Sequence, residues 1–304
     1  MTSLPHEVAA GSAPTDSSAA SHFRPDSLSD GDYTRLGKFI HAECGIDLGS
    51  EKRTMLEGWL RKRLRVLCLP SFAAYCNYLF SKQGLASEPA HLFDTVTTNT
   101  TSFFRESRHF DYILSSALPD LEQTRPASRP IVGWSAASSS GEEAYTLALV
   151  LAEYAAQHPG LTFQVIATDI SSAVLEKARL SIYDSDAIRS VPTPLLHRYF
   201  LRGSESANPR FRIAPELRAL VDFRRMNLMD HDFPIREPVD LLFCRNVLIY
   251  FDRDTQFRLF SHLIRHLRPG GYLFLGHAES ISRLDLPVEM VEPTVYRKVH
   301  AGYR

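Results

Sequence analysis

The stretch PIVGWSAASSSGEEAYTLALVLAEYAA, residues 130–156, decides the fold together with TFQVIATDI at residues 162–170. The run from Ile131 to Ala136 is short, apolar and bounded by small polar residues, as a buried strand is. From Gly141 apolar residues recur at helical spacing, and from Phe163 a second strand-like run begins. Strand, helix, strand in that order is the grammar of a parallel, doubly wound sheet. The alternation continues through SSAVLEKARLSIY (171–183), VDFRRMNL (221–228), VDLLFCRNVLI (239–249), DTQFRLFSHLIRHLRPGG (254–271) and YLFLGHAES (272–280). It lapses between Ile182 and Val221, where two short β-prone runs flank a polar loop. A small antiparallel insertion is expected there, over about residues 183–221.

Upstream the pattern changes. DYTRLGKFIHAECGIDL (32–48), SEKRTMLEGWLRKRLRVL (50–67), SFAAYCNYLFSK (71–82) and EPAHLFDTVTTN (88–99) read as helices separated by Gly, Ser or Pro. The first residues are rich in Ser, Ala and Pro with few large apolar side chains, so a disordered tail is expected over residues 1–25. The predicted organisation is that tail, an all-α domain over 26–98 and an α/β domain over 99–304.

Composition narrows the function classes. A formal net charge of −1 and a pI near 6.9 provide no global basic field, which argues against a generic nucleic-acid binder. Any electrostatic recognition must be local. Cys44, Cys68, Cys76 and Cys244 show no CxxC spacing, so they read as reduced thiols and not as staples or structural metal ligands. No secretion signal and no spanning-length apolar run are visible, so a cytoplasmic protein without direct membrane insertion is expected.

In open α/β sheets ligands bind beyond the carboxyl ends of the strands. After the first strand, WSAASSSGEE (134–143) supplies small residues and a helix N-terminus but not GxGxxG. Its acids, Glu142 and Glu143, would repel a pyrophosphate and suit a ligand carrying an ammonium or sulfonium charge; equally, they sit well in a first helical turn. Asp169 ends the second strand, where a carboxylate can accept both ribose hydroxyls or simply cap the next helix. Asn227 and Leu228 follow the third, placed to face an adenine ring, although an Asn there also suits a turn. Arg245 and Asn246 interrupt an otherwise apolar fourth strand, and charged groups are rarely buried unless paired or functional. NTTSFFRESRHF (99–110) joins the two domains. It is expected to begin a helix capped by Thr101 or Ser102, with Asn99 and Arg105 placed to close over a ligand.

Taken together, TTNTTSFFRE (97–106), WSAASSSGEEAYT (134–146), ATDIS (167–171), VLEKA (174–178), SIY (181–183), NL (227–228), FCRNVLIYFD (243–252), PGGYLFLGHAES (269–280) and VYRK (295–298) resemble the chemotaxis receptor methyltransferases of the CheR type. The resemblance covers about residues 28–300; Ala144 departs from it, standing where the family usually has Pro. It implies an all-α N-terminal domain and a Rossmann-like class I methyltransferase domain with a small antiparallel insertion. It also implies S-adenosylmethionine as methyl donor, S-adenosylhomocysteine as product, and glutamate side chains on the cytoplasmic helical bundle of chemoreceptors as substrate. Enzyme recruitment to membrane receptor arrays would follow. By the same resemblance Asn99, Thr101, Arg105, Glu142, Asp169, Asn227, Leu228, Arg245 and Asn246 hold the cofactor, with Arg105 and Tyr250 nearest the transferred methyl.

A glutamate is already ionised at neutral pH, so the chemistry requires alignment and water exclusion rather than a general base. Residues 51–65 hold six Lys or Arg against two Glu. On a helical projection Leu56, Leu60, Leu64 and Leu67 form one stripe, with Arg61, Lys62 and Arg65 opposite. Charge runs are usually just solvated faces. Given a glutamate-rich partner, Arg53, Arg61, Lys62 and Arg65 are expected to dock it. A methyltransferase for RNA or a small molecule, a nicotinamide oxidoreductase and a non-catalytic S-adenosylmethionine sensor share parts of this pattern. The near-neutral charge counts against RNA, and the missing GxGxxG counts against a nicotinamide enzyme.

Overall fold

The computed structural model describes residues 27–299 except 98, 127, 206 and 207, so the tail expected over residues 1–25 lies outside the described residues. The helical domain comprises α1 (Asp30–Cys44), α2 (Arg53–Leu67), α3 (Phe72–Leu79), α4 (Lys82–Ser87) and α5 (Pro89–Val96). The Ser29 hydroxyl accepts the Asp32 N–H and starts α1; Gly45, with φ 74°, ends it. Leu56, Leu60 and Leu64 of α2 are buried with Leu36, Ile40, Tyr75 and Leu79, and Leu67 packs at the edge of that core. Glu88 is 1% exposed, and Arg63 makes two bonds to it, at 2.6 and 2.8 Å, which satisfies its charge inside the domain.

The turn between α3 and α4 depends on a missing side chain. A Cβ on Gly84 would lie 1.8 Å from the Tyr78 carbonyl oxygen, a backbone atom with no room to yield. Gly84→Ala should therefore destabilise the protein by about 2 kcal/mol, as overpacked cores do. Thermal unfolding would show it, whereas Gly58→Ala, which meets nothing within 4 Å, should change little.

The α/β domain starts with α6 (Arg108–Tyr112), a π-helical turn (Ile113–Ala117) and α7 (Leu118–Thr124). It continues through β1 (Ile131–Ala136), α8 (Glu142–Gln157), β2 (Phe163–Asp169) and α9 (Ser172–Leu180). The insertion follows: β3 (Ile182–Tyr183), α10 (Thr193–Tyr199), β4 (Phe200–Arg202), β5 (Phe211–Ile213) and α11 (Pro215–Arg218). Its strands form an antiparallel sheet in the order β3-β5-β4. The chain then returns through β6 (Val221–Arg225), β7 (Val239–Phe243), α12 (Arg253–His266), β8 (Leu267–Phe274), β9 (Val288–Glu292) and β10 (Val295–Lys298).

The main sheet has the order β6-β2-β1-β7-β8-β10-β9, parallel as far as β8. Every residue of β1 is buried, as a central parallel strand requires. Alternate side chains serve opposite faces: Leu241 and Phe243 join the core under α8, and Leu242 and Cys244 join the core under α12. From β1 the chain adds β2 and β6 on one side and β7 and β8 on the other. The crevice between the ends of β1 and β7 is thus the topological switch point, where such sheets bind ligands.

Residues 99–104 do not form the expected helix, whose first residue is Arg108. Phe104 and Glu106 adopt φ of 52° and 56°, which no α-helix tolerates. Tertiary contacts outweigh local propensity here. Phe103 is wedged edge-on against Tyr183 and Phe200, its carbonyl accepts the Ser190 hydroxyl at 2.6 Å, and the Phe104 N–H donates to the Thr146 hydroxyl.

Candidate active site

A cleft with about 890 Å³ of atom-free space, open to solvent, lies at the switch point. Its floor comes from the ends of four parallel strands: Ala137 and Ser139 after β1, Asp169 and Ile170 at β2, Met226 to Leu228 after β6, and Arg245 to Val247 after β7. Asn99 to Thr101 and Arg105 form one rim, and Tyr250 and Phe251 form another. Cys44 and Ile46 add a wall from the helical domain, which strand-end reasoning within the α/β domain did not anticipate.

Strain concentrates around this space. Of the eight described non-glycine residues with positive φ, five (Phe104, Glu106, Ala137, Ser139 and Asn246) belong to the segments that build the cleft. Such conformations cost about 1–3 kcal/mol each and persist only where surrounding contacts dictate them. For Asn246 the contact is Glu279, whose buried carboxylate accepts the Asn246 and Leu248 N–H groups at 2.8 Å and the Gly276 N–H at 2.7 Å. A Cβ on Gly276 would lie 2.9 Å from that carboxylate and 2.5 Å from the Asn246 amide nitrogen. The GHAES segment thus does more than close a turn.

Arg245 lies in the cleft floor with its side chain only 1% exposed. It bonds the Arg105 carbonyl and sits 3.0 Å from Glu106 and 3.3 Å from Glu143. Burial pushes the Glu106 carboxyl up, but Arg245 and the His277 backbone N–H together hold the group below its ordinary range. Burial wins at Glu143, whose carboxyl is raised despite Arg245 and the Ser135 hydroxyl at 2.7 Å. Next to them, burial and then Arg245 push the His109 imidazole down to about 4, so it is neutral near pH 7.

Of the two adjacent acids, Glu143 lines the cleft and Glu142 does not. A helical step of about 100° turns Glu142 away. Its carboxylate accepts the Ser140 hydroxyl at 2.7 Å, and burial raises its pKa. Asp169 is at the cleft with each carboxylate oxygen accepting one backbone N–H at 2.9 Å, from Ser139 and from Ser171. Each oxygen retains a lone pair for a ligand. Asn227 spans the domain seam, its amide donating to the Glu43 carbonyl at 2.5 Å and its oxygen accepting the Met229 N–H at 3.0 Å. Thr101, Arg105, Leu228, Asn246 and Tyr250 all line the same space, and Arg105 also donates to the Thr100 carbonyl.

Two further bonds lock the helical wall onto the sheet. The Asp47 N–H donates to the Tyr250 carbonyl at 2.9 Å, and His41 meets Asp252 at 2.8 Å. The Thr255 N–H and then His41 hold the Asp252 carboxyl down to about 2. On the outer face of α2 the four basic residues differ. Arg53 is tied to Asp30 and the Leu28 carbonyl, and Arg61 pairs with Glu57 on its own helix. Lys62 and Arg65 are exposed. An outward helical projection cannot show such pairing.

Both domains of the chain match known sequences. A family model described as "CheR methyltransferase, SAM binding domain" matches residues 99–297, and "CheR methyltransferase, all-alpha domain" matches residues 31–97. The chain is 38% identical over 269 residues to the chemotaxis protein methyltransferase of Escherichia coli, covering 88% of this chain and 91% of that protein. Identity is 37% over 265 residues to chemotaxis protein methyltransferase 2 of Pseudomonas aeruginosa, with 87% and 92% covered. It is 37% over 271 residues to the Borreliella burgdorferi protein of the same description, with 88% and 94% covered. This chain, all-α domain and catalytic sheet together, belongs to the CheR methyltransferase family.

Proposed function

We propose that the protein transfers a methyl group from S-adenosylmethionine to glutamate side chains in the cytoplasmic helical bundle of chemoreceptors. One observation carries the reading: the cleft combines acceptors for a ribose, apolar contacts for a base, and a strained polar segment at its rim, within a CheR-family chain. Asp169 suits the ribose, Leu228 and Met226 suit the adenine, and Glu143 with Asn246 faces the amino-acid end. When bound, the cofactor supplies an electrophilic methyl on a sulfonium. The protein's own part is positioning. Arg105 orients the incoming carboxylate, Tyr250 offers a hydroxyl beside it, and the helical wall excludes water. No described helix is long and apolar enough to cross a membrane, so the receptor supplies the membrane attachment in this reading.

The test uses methyl-labelled S-adenosylmethionine with membranes carrying the organism's own receptors. Label on receptor-sized bands that leaves as methanol in mild base is the expected result; label stable to base would exclude a carboxyl ester. Arg105→Ala should lower turnover about tenfold to a hundredfold while the protein stays folded, because an orienting contact is lost. Unchanged turnover would remove Arg105 from the reaction.

Lys52 lies over the Tyr250 ring at 5.4 Å, so α2 starts at the cleft mouth, and Lys62 and Arg65 are exposed further along that helix. We assign the docking face to these two residues first, with Arg61 released from Glu57 as a secondary contact. Lys62→Glu with Arg65→Glu should slow receptor methylation severalfold at low salt, with the gap closing as salt rises. Equal rates at low salt would dismiss the docking role.

A further inference from the structure

Glu106, His109 and His277 meet behind the cleft, outside its lining, with one ligand atom from each lying within 4.8 Å of the others. Glu106 Oε2 is 3.8 Å from His109 Nδ1 and 4.0 Å from His277 Nε2. The tautomer of His109 follows from its other nitrogen. The Thr294 hydroxyl lies 2.6 Å from the Pro293 carbonyl and 2.8 Å from His109 Nε2. With its single proton on the carbonyl it accepts from Nε2–H, the tautomer that leaves Nδ1 a lone pair for a ligand. Nδ1 belongs to a side chain 3% exposed, lies 3.8 Å from a carboxylate oxygen, and has no hydrogen-bond partner among the described residues. A cation between the two would satisfy both.

We propose that Glu106, His109 and His277 form a binding site for a divalent first-row transition metal of the zinc type. Two imidazole nitrogens and one carboxylate oxygen are a donor set that such ions take, with a fourth position left toward solvent on the His277 side. Thr294 plays the outer part such sites use, fixing ring orientation through the distal N–H. The separations exceed the roughly 3.3 Å between ligands that metal–ligand bonds of about 2.0–2.1 Å would set. Part of the shortfall lies between Glu106 and the buried His109, 3.8 Å apart, which must close on metal binding; the rest falls on His277, whose side chain is 56% exposed and has room to swing inward. Arg245 shares Glu106 Oε2 at 3.0 Å, but that oxygen has a second lone pair, and this one guanidinium serves two carboxylates, Glu106 and Glu143. A bound ion would tie the strained 104–106 turn to the loop that carries Glu279. From cysteine spacing alone no metal is expected, and a mixed His and Glu set whose members stand up to 171 positions apart escapes a spacing search.

The experiment titrates Co²⁺ into the full chain carrying Cys68→Ser, which removes the exposed thiol as a competing ligand. About one equivalent should give the visible absorption of low-coordinate cobalt, displaced by Zn²⁺, and Zn²⁺ should raise the melting temperature. His277→Ala should weaken binding about tenfold or more and abolish the thermal shift, with the methyl-transfer rate measured without metal unchanged. Absence of the cobalt spectrum, or equal binding by the His277→Ala protein, would overturn the site and leave a water or adventitious surface histidines as the explanation.

Discussion

Arg245→Met should be among the most damaging single substitutions in the chain. It leaves Glu106 and Glu143 buried without their guanidinium, and breaking a buried pair by removing one partner costs about 3–5 kcal/mol. It also removes the bond to the Arg105 carbonyl that holds the strained rim segment, so S-adenosylmethionine affinity should fall with stability. The pH dependence identifies the cause. In the native protein Arg245 depresses the Glu106 pKa, so that contribution is present above the ordinary carboxylate range and lost as pH falls through it. In the variant both carboxyls would titrate above their unfolded values, so the variant is relatively most stable in acid and loses stability as pH rises. The gap in melting temperature between the two proteins should therefore narrow near pH 5 and widen near pH 8. A gap independent of pH would show that lost packing, and not orphaned charge, dominates.

Glu279→Ala is expected to be nearly as severe. Its carboxylate accepts three backbone N–H groups, so removal leaves three donors in a closed site at about 1–3 kcal/mol each where water does not replace it. A loss of about 3 kcal/mol or more is expected. Asn246 would lose the contact that holds its φ at 59°, so cofactor affinity should fall beyond what partial unfolding explains. Glu279→Gln separates charge from shape. Its oxygen can keep the Asn246 and Gly276 donors, while its NH₂ confronts the Leu248 N–H. It should cost about 2 kcal/mol, the scale of one charge-assisted bond. Calorimetric binding of S-adenosylhomocysteine at a temperature where every variant is folded checks both. Affinity unchanged in the Ala variant would mean that the loop after β7 holds its shape without the cradle.

The parallel sheet was legible because its strands are apolar on both faces and end in residues that a buried strand does not otherwise carry, Asp169 and Arg245 above all. The insertion was legible as a lapse in alternation, but β3, two residues long, was not. NTTSFFRE was misread as a helix start because local propensity says nothing of Phe103 burying itself between Tyr183 and Phe200, 80 and 97 positions away. Choosing between Glu142 and Glu143 required the phase of α8, which a one-residue shift in helix start would reverse. Glu279 went unassigned because its partners are backbone groups, which carry no sequence signal. Cys44 and Ile46 were out of reach for a different reason: the seam between the domains depends on how two separately patterned units dock.

We place the methyl donor in the cleft between the helical wall and the switch point. Leu228→Trp tests this most directly, because Leu228 is half-buried on the cleft floor and a larger side chain there fills the space without a new charge. Calorimetric titration of S-adenosylhomocysteine into the folded variant should show binding weakened about a hundredfold or lost, with the melting temperature of the unliganded protein near that of the parent. Binding equal to the parent protein's would contradict the account and place the donor elsewhere.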